Sequence, residues 1–306
     1  MHLKSKLFYL FQSSRPNQWT KNLLVFAVPF FAFNLDPELW FKSFLTFICF
    51  CLVSSSVYLI NDSRDINSDR KHPIKKKRPI PSGKISIKLA LSFAIFLLLT
   101  AIFISQQLSI SLLICILIYY FLQILYCIVL KNIPILDIFS IATGFLIRSV
   151  SGSISYNIYL SPWFILSIGL LALFLGIEKR KAELFNFYNT GIVTRKVLLN
   201  YSKNLLSKFE STVTTSCFLT YSLWASGPAL SGSSTKWMLL TVPFVLGGIF
   251  RYQQLSDTEL IKDEENVSPN LISESPEKVL LKDKFIQVIL FSWLLSTFII
   301  MIFTNK

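Results

Sequence analysis

Histidine is nearly absent: His2 and His72 are the only two in 306 residues. That argues against a histidine-based triad and against a multi-histidine metal site. Charge is scarce too, at 15% of residues, and it is lopsided, with 17 Asp and Glu against 30 Lys and Arg. The five cysteines (Cys49, Cys51, Cys115, Cys127 and Cys217) lie in apolar runs with no CxxC pair, so they read as small core residues rather than disulfides or zinc ligands. No tandem repeat, separate soluble domain or aromatic-basic module is visible, and no nucleic-acid partner is expected. The amino-terminal apolar patch lacks a small-residue cleavage site, so no removed signal peptide is expected either. That patch suits a short amphipathic helix at the membrane interface.

Apolar residues are abundant instead. They make up 53% of the chain, with 28 Phe, more than a soluble core of this size can hide. Runs of about 20 apolar residues, the length that crosses a hydrocarbon core, recur near 22–37, 39–60, 86–105, 108–130, 134–153, 159–177, 209–228, 236–254 and 285–304. The expectation is one all-α multi-pass membrane domain over 1–306 with nine transmembrane helices. Buried strands are disfavoured because lipid offers backbone groups no water to bond. The cations set the orientation. With the amino terminus inside, only Lys42, Lys236 and Lys306 fall outside, and Arg148 lies within a span. The loops 61–85, 178–208 and 251–284 are then cytoplasmic, and the acid-rich stretch 255–283 belongs to the last of them.

One loop carries the chemistry. NDSRDINSDRKHPIKKKRP, residues 61–79, sets acids and an amide directly before a basic run. Asn61, Asp65 and Asp69 are spaced i, i+4, i+8, and Asp62, Asp65 and Asp69 are i, i+3, i+7, so a helix continuing past the second span stacks them on one face. Clustered carboxylates repel one another unless a cation joins them, and oxygen-only donors suit magnesium, which commonly bridges to phosphates. The plainer reading makes Asn61 and Asp62 a helix cap and the rest solvated charge. The neighbouring cations favour the first reading, because acids that hold a metal beside cations that hold phosphate are what a diphosphate leaving group requires. PIPSGKIS then reads as a turn closing a lid-like loop.

The NDxxDxxxD pattern resembles the first aspartate motif of the UbiA-type intramembrane prenyltransferase superfamily. RPNQWTKNLLVFAVPFF (15–31), KKRPIPSGKIS (76–86), LKNIPILDIFSIATGFLIRSVSG (130–152), GIEKRKAEL (176–184), RYQQL (251–255) and SPEKVLLKDK (275–284) are similar to its decaprenyl-phosphate phosphoribosyltransferase branch. The resemblance implies nine helices around a central cavity in the plasma membrane, with the active site facing the cytoplasm. Where aromatic prenyltransferases carry a second aspartate motif, this chain reads EKRKAE (178–183), which puts a two-magnesium prenyl diphosphate site in doubt.

The implied reaction is transfer of phosphoribose from phosphoribosyl diphosphate to a polyprenyl phosphate. The implied cofactor is Mg2+ on Asn61, Asp65 and Asp69, with Asp62, Asp65 and Asp69 as the catalytic acids. Lys21, Arg78, Lys131, Lys179 and Arg180 are the expected phosphate ligands, while Lys181 reads as an anchor charge. Tyr126 and Lys131 look like the family's tyrosine and lysine after the fourth helix, and Cys127 stands where serine is commoner.

Asp137, Gly144, Arg148 and Gly152 share a stripe on the fifth helix, with Ser140 and Ser151 beside it. It is expected to face the cavity. Arg148 then either contacts substrate phosphate or pairs internally, or else it snorkels outward. Expected partners are the membrane, both substrates and, as an open alternative, further copies of the chain in a homo-oligomer. Two rival functions stay open: an aromatic prenyltransferase using prenyl diphosphate, and a non-enzymatic lipid carrier.

Overall fold

The computed structural model of the protein describes residues 3–71, 75–154, 158–191, 195–257, 279 and 282–304. Most of the acidic 255–283 stretch, His72 in the 61–85 loop and residues 192–194 of the 178–208 loop lie outside the described residues. Among the described residues all regular structure is helical. The helices are α1 (Leu3–Ser13), α2 (Ala27–Phe31), α3 (Pro37–Arg64), α4 (Ile66–Lys71), α5 (Ile87–Leu108), α6 (Ile110–Ile128), α7 (Leu136–Ile154), α8 (Pro162–Thr190), α9 (Lys203–Ala225), α10 (Val242–Ser256) and α11 (Lys284–Thr304), with short 3-10 turns between them. Among the described residues five helices are long and apolar enough to cross a bilayer: α3, α5, α6, α8 and α11.

The expected span at 22–37 is different. It is a 3-10 segment, Pro16–Phe26, followed by the single short turn of α2. Pro29 lacks the N–H that a longer helix would use there. The span at 236–254 likewise begins as a 3-10 segment, Lys236–Thr241, before α10.

Helix starts follow from local chemistry. Pro37 opens α3 while the Asp36 carboxylate accepts the Glu38 amide at 3.0 Å, and Ser86 and Ser202 accept the Leu89 and Leu205 amides at the starts of α5 and α9. Gly191 closes α8 with φ 68°, a left-handed conformation that costs glycine little.

The chain groups into two compact units, one of residues 1–128 with 147–158 and one of 129–146 with 159–306. In the first, α3 packs on α5, α6 and the Pro16–Phe26 segment. Ala90, Ala94 and Ala101 are the buried face of α5, and small side chains of that kind let helix backbones approach closely in lipid. Phe96, Leu99 and Phe103 on its other face are exposed, as lipid contact requires. Ile80 and Ile85 of the Pro-rich turn are buried with Leu10 and Leu59, and Gly83 supplies the φ of 78° the turn needs.

In the second unit α8 packs on α9, and α10 packs on α9 and α11. One of its cores gathers Ile138, Ile177, Leu184, Val197 and Leu206. A bidentate pair, Arg251 to Asp283 at 2.8 and 3.4 Å, ties α10 to the start of α11, where Asp283 also accepts the Ile286 amide. All five cysteines are free thiols.

Candidate active site

In the first unit the aspartate motif sits at the carboxyl end of α3. The regular helix stops at Arg64 and resumes at Ile66, so one continuous helix is not what carries the motif. The stacking survives the break nonetheless. The Asp65 amide donates to the Asn61 carbonyl and the Asp69 amide to the Asp65 carbonyl, each at 2.9 Å, which keeps Asn61, Asp65 and Asp69 on successive turns. Asn61 and Asp65 are half-buried, whereas Asp62 and Asp69 are buried.

Arginines hold the buried pair. Arg78 Nη1 lies 3.1 Å from Asp62 Oδ1 and 2.9 Å from Asp69 Oδ2. Arg15 Nη2 reaches the same Asp62 oxygen, and its guanidinium lies over the Tyr58 ring, 4.7 Å from the centroid. Among the described residues no three His, Cys, Asp or Glu side chains converge as a ready metal cage. The donors present are nevertheless all oxygens, which fits a hard divalent cation that brings its remaining ligands as water and phosphate.

Other motif residues are pinned nearby. Lys21 Nζ donates to Gln18 Oε1 at 2.6 Å, Arg64 Nη1 to the Cys127 carbonyl at 2.6 Å, and Arg70 Nε to the Pro81 carbonyl at 3.1 Å. The last bond, with buried Ile80 and Ile85, holds the Pro-rich loop down on its own unit. Tyr126 is half-buried near the end of α6.

On the α7 stripe the arginine is engaged within the first unit. Arg148 is buried, donates from Nε to Asn22 Oδ1 at 2.8 Å, bonds the Tyr119 hydroxyl, and lies over that ring. It is therefore internally paired. A Cβ at Gly152 would strike the Val25 carbonyl, so that glycine is a packing residue. Ser151 donates back to the Arg148 carbonyl, and Ser140 likewise donates to that of Leu136.

In the second unit EKRKAE lies within α8, and its side chains divide between two neighbours. Arg180 is fully buried. Its Nε lies 2.5 Å from Asp137 Oδ2, and its Nη1 bonds Glu183. Tyr201 donates to Asp137 Oδ1 and accepts the Ile135 amide, both at 2.7 Å. Burial, and then the hydrogen bond to Asp137, push the Tyr201 phenol above its ordinary range, so it stays a neutral donor. Arg195 approaches Glu183 at 3.6 Å.

With no exposed surface and a carboxylate on either side, the Arg180 guanidinium is an internal tie in this structure, where the expectation made it a phosphate ligand. Lys179 and Lys131 are half-buried. Lys181 is no loose anchor either: its Nζ lies 3.1 Å from Glu178 Oε1 and 2.6 Å from Glu210 Oε2, and Gln253 donates to the same Glu210. Lys181 and Glu210 line a cavity of about 370 Å3 with Lys203, Gln253 and Asp257.

Sequence reasoning missed Arg15, Arg195, Tyr201 and Glu210. Two of them had a usable signal: Arg15 opens the family-like stretch 15–31, and Glu210 is an acid at the start of an apolar run.

An all-helical membrane protein with acids and arginines clustered at the end of one long span defines a class, and comparison with known proteins narrows it. Residues 23–266 match the UbiA prenyltransferase family. The decaprenyl-phosphate phosphoribosyltransferase of Mycolicibacterium smegmatis is 35% identical over 93% of this chain and 90% of its own, and that of Corynebacterium glutamicum is 32% identical over 93% and 84%. A UbiA homolog from Archaeoglobus fulgidus, solved with GPP and Mg2+, superposes with a TM-score of 0.68 over 95% of this chain and 98% of its own, at 16% identity. The chain belongs to the UbiA prenyltransferase family and has its fold.

Proposed function

We propose that the protein transfers the 5-phosphoribosyl group of phosphoribosyl diphosphate to a polyprenyl phosphate, releasing pyrophosphate. The observation that carries this reading is the near full-length likeness to the decaprenyl-phosphate phosphoribosyltransferases. The α8 segment supports it, because EKRKAE spends its acids on internal ion pairs rather than presenting them as a second metal-binding aspartate motif.

A phosphate oxygen of the lipid attacks C1 of the ribose while the bond from C1 to the diphosphate oxygen breaks, and pyrophosphate leaves with the electron pair. The nucleophile is already anionic near neutral pH, so a chain with two histidines lacks nothing it needs. The barrier lies in departure from a sugar carbon with oxocarbenium character. Asn61, Asp65 and Asp69 are the proposed holders of Mg2+, which when bound would neutralise the leaving diphosphate. Asp62, which holds Arg15 and Arg78 in this structure, is proposed to support them by turning to the cation when it binds. Lys21 and Arg78 are proposed to bind diphosphate oxygens, and Arg78 is already poised against two of the aspartates. Lys131 and Lys179 remain proposed phosphate ligands on the chemistry of their side chains, and Tyr126 a proposed substrate contact. The cation distribution supports a plasma-membrane protein with this rim facing the cytoplasm, where a water-soluble sugar diphosphate would be available.

The test is pyrophosphate release by purified protein, with each sugar diphosphate and lipid phosphate offered in turn. Release that requires both phosphoribosyl diphosphate and a polyprenyl phosphate is expected. Efficient prenylation of 4-hydroxybenzoate from prenyl diphosphate, without phosphoribosyl transfer, would overturn the reading.

A further inference from the structure

Asp62 and Asp69 carry two negative charges, and two guanidinium groups balance them. The balance is uneven in space. The Asp62 side chain is only 3% exposed, while those of Arg15 and Arg78 are 25% and 31% exposed. The carboxylate is thus fixed in the protein, and each arginine has an open edge toward solvent. Arginine cannot shed its proton, so whenever it leaves a carboxylate it needs another anion.

Arg15 is also held in an unfavourable backbone conformation, φ 53° and ψ 61°, immediately before the Pro16–Phe26 segment. Such strain persists only where surrounding contacts maintain it, and it recurs at ligand clamps. Here the side chain rests on Asp62 and the face of Tyr58, while the backbone N–H donates to the Gln12 carbonyl and the carbonyl accepts the Gln18 amide.

We propose that Arg15 is a further donor-binding residue, held in reserve by Asp62 and passed to the donor's diphosphate when a divalent cation takes over the aspartates. The inference rests on the phosphoribosyl-transfer reading and deepens it. One divalent cation replaces two guanidinium charges on the carboxylates, and the two arginines so released match the anionic oxygens that arrive with the cation. Neither ligand gains this alone. A bare cation must displace two ion pairs and leave Arg15 and Arg78 without anions, and a bare diphosphate must draw the arginines from a buried carboxylate that then has no cation. Each ligand therefore raises the affinity for the other, and the reciprocity is required by linkage.

The test uses Mn2+ and pyrophosphate as probes, with the purified protein in detergent and Mn2+–pyrophosphate association in solution subtracted. It needs no turnover, so its outcome is separate from that of the transfer reaction. In the unaltered protein, saturating pyrophosphate should tighten Mn2+ binding by about tenfold or more, within the usual range of coupling between sites. In Arg15→Gln, Mn2+ alone should bind more tightly than in the unaltered protein, while the gain from pyrophosphate shrinks several-fold. Asp62→Asn, which frees Arg15 without removing it, should bind pyrophosphate more tightly when no metal is present. Independent binding of the two probes by the unaltered protein would overturn the proposal whatever the variants do. So would Mn2+ affinity in Arg15→Gln that is unchanged or weaker, or a coupling as large as before.

Discussion

Arg180 Nε lies 2.5 Å from Asp137 Oδ2, and neither side chain has any exposed surface. Two opposite charges have been removed from solvent together, and each depends on the other for its place. Removing one leaves a buried charge uncompensated, which costs roughly 3 to 5 kcal/mol. Asp137→Asn and Arg180→Gln should each lower thermal stability in detergent by about that amount, and the double variant should lose much less than the sum. Additive losses would show that the pair does not act as a unit.

The aspartate motif should separate chemistry from stability. Asp65 is half-buried at the break between α3 and α4, so Asp65→Asn is expected to keep the melting temperature nearly unchanged while turnover falls at least about tenfold, the scale of one lost charge-assisted contact. Asp69→Asn should lose activity comparably and some stability as well, because Asp69 is buried against Arg78. Steady-state kinetics alongside thermal unfolding distinguishes the two. Full activity in both variants would remove the motif from the reaction.

Much of this arrangement was legible beforehand, and the reason is local. Lipid imposes long apolar runs, so α3, α5, α6, α8 and α11 can be read directly. Asn61, Asp65 and Asp69 declare themselves by spacing within nine residues. What escaped depends on distant partners: Arg15 and Asp62 are 47 residues apart, Asp137 and Arg180 are 43, Tyr201 and Asp137 are 64, and Lys181 and Glu210 are 29. Apolar composition at 22–37 suggested one helix, because hydropathy measures burial and not the hydrogen-bond pattern, which is 3-10 as far as Phe26 and α-helical only over Ala27–Phe31. The α7 stripe was recognised as too polar for lipid, and two of its charges, Arg148 and Asp137, are paired with Asn22 and Arg180.

Lys179 and Arg180 are neighbours with different expected roles. If Lys179 binds a donor phosphate, Lys179→Ala should raise the KM for phosphoribosyl diphosphate by about tenfold to a hundredfold, the worth of a charge-assisted bond, and leave the KM for the lipid nearly unchanged. Arg180→Lys should instead act on stability, because a lysine cannot span Asp137 and Glu183 as the guanidinium does. Equal effects on both KM values in Lys179→Ala would place the lysine outside the donor site.

Topology offers an independent check. Lys76, Lys208 and Lys236 are all exposed, so single cysteines there in a cysteine-free background should react readily once reached. An impermeant thiol reagent added to intact cells is expected to label position 236 and to spare 76 and 208 until the membrane is opened. Labelling of 76 or 208 from outside would reverse the orientation and the donor-access argument with it.

The most direct measurement is mass analysis of the lipid recovered after purified protein has been incubated with phosphoribosyl diphosphate, a polyprenyl phosphate and Mg2+. The account predicts a lipid carrying one added phosphoribose, formed together with pyrophosphate, lost in chelator and restored by magnesium. An unmodified lipid, across polyprenyl phosphates of different lengths and with folded protein present, would contradict it.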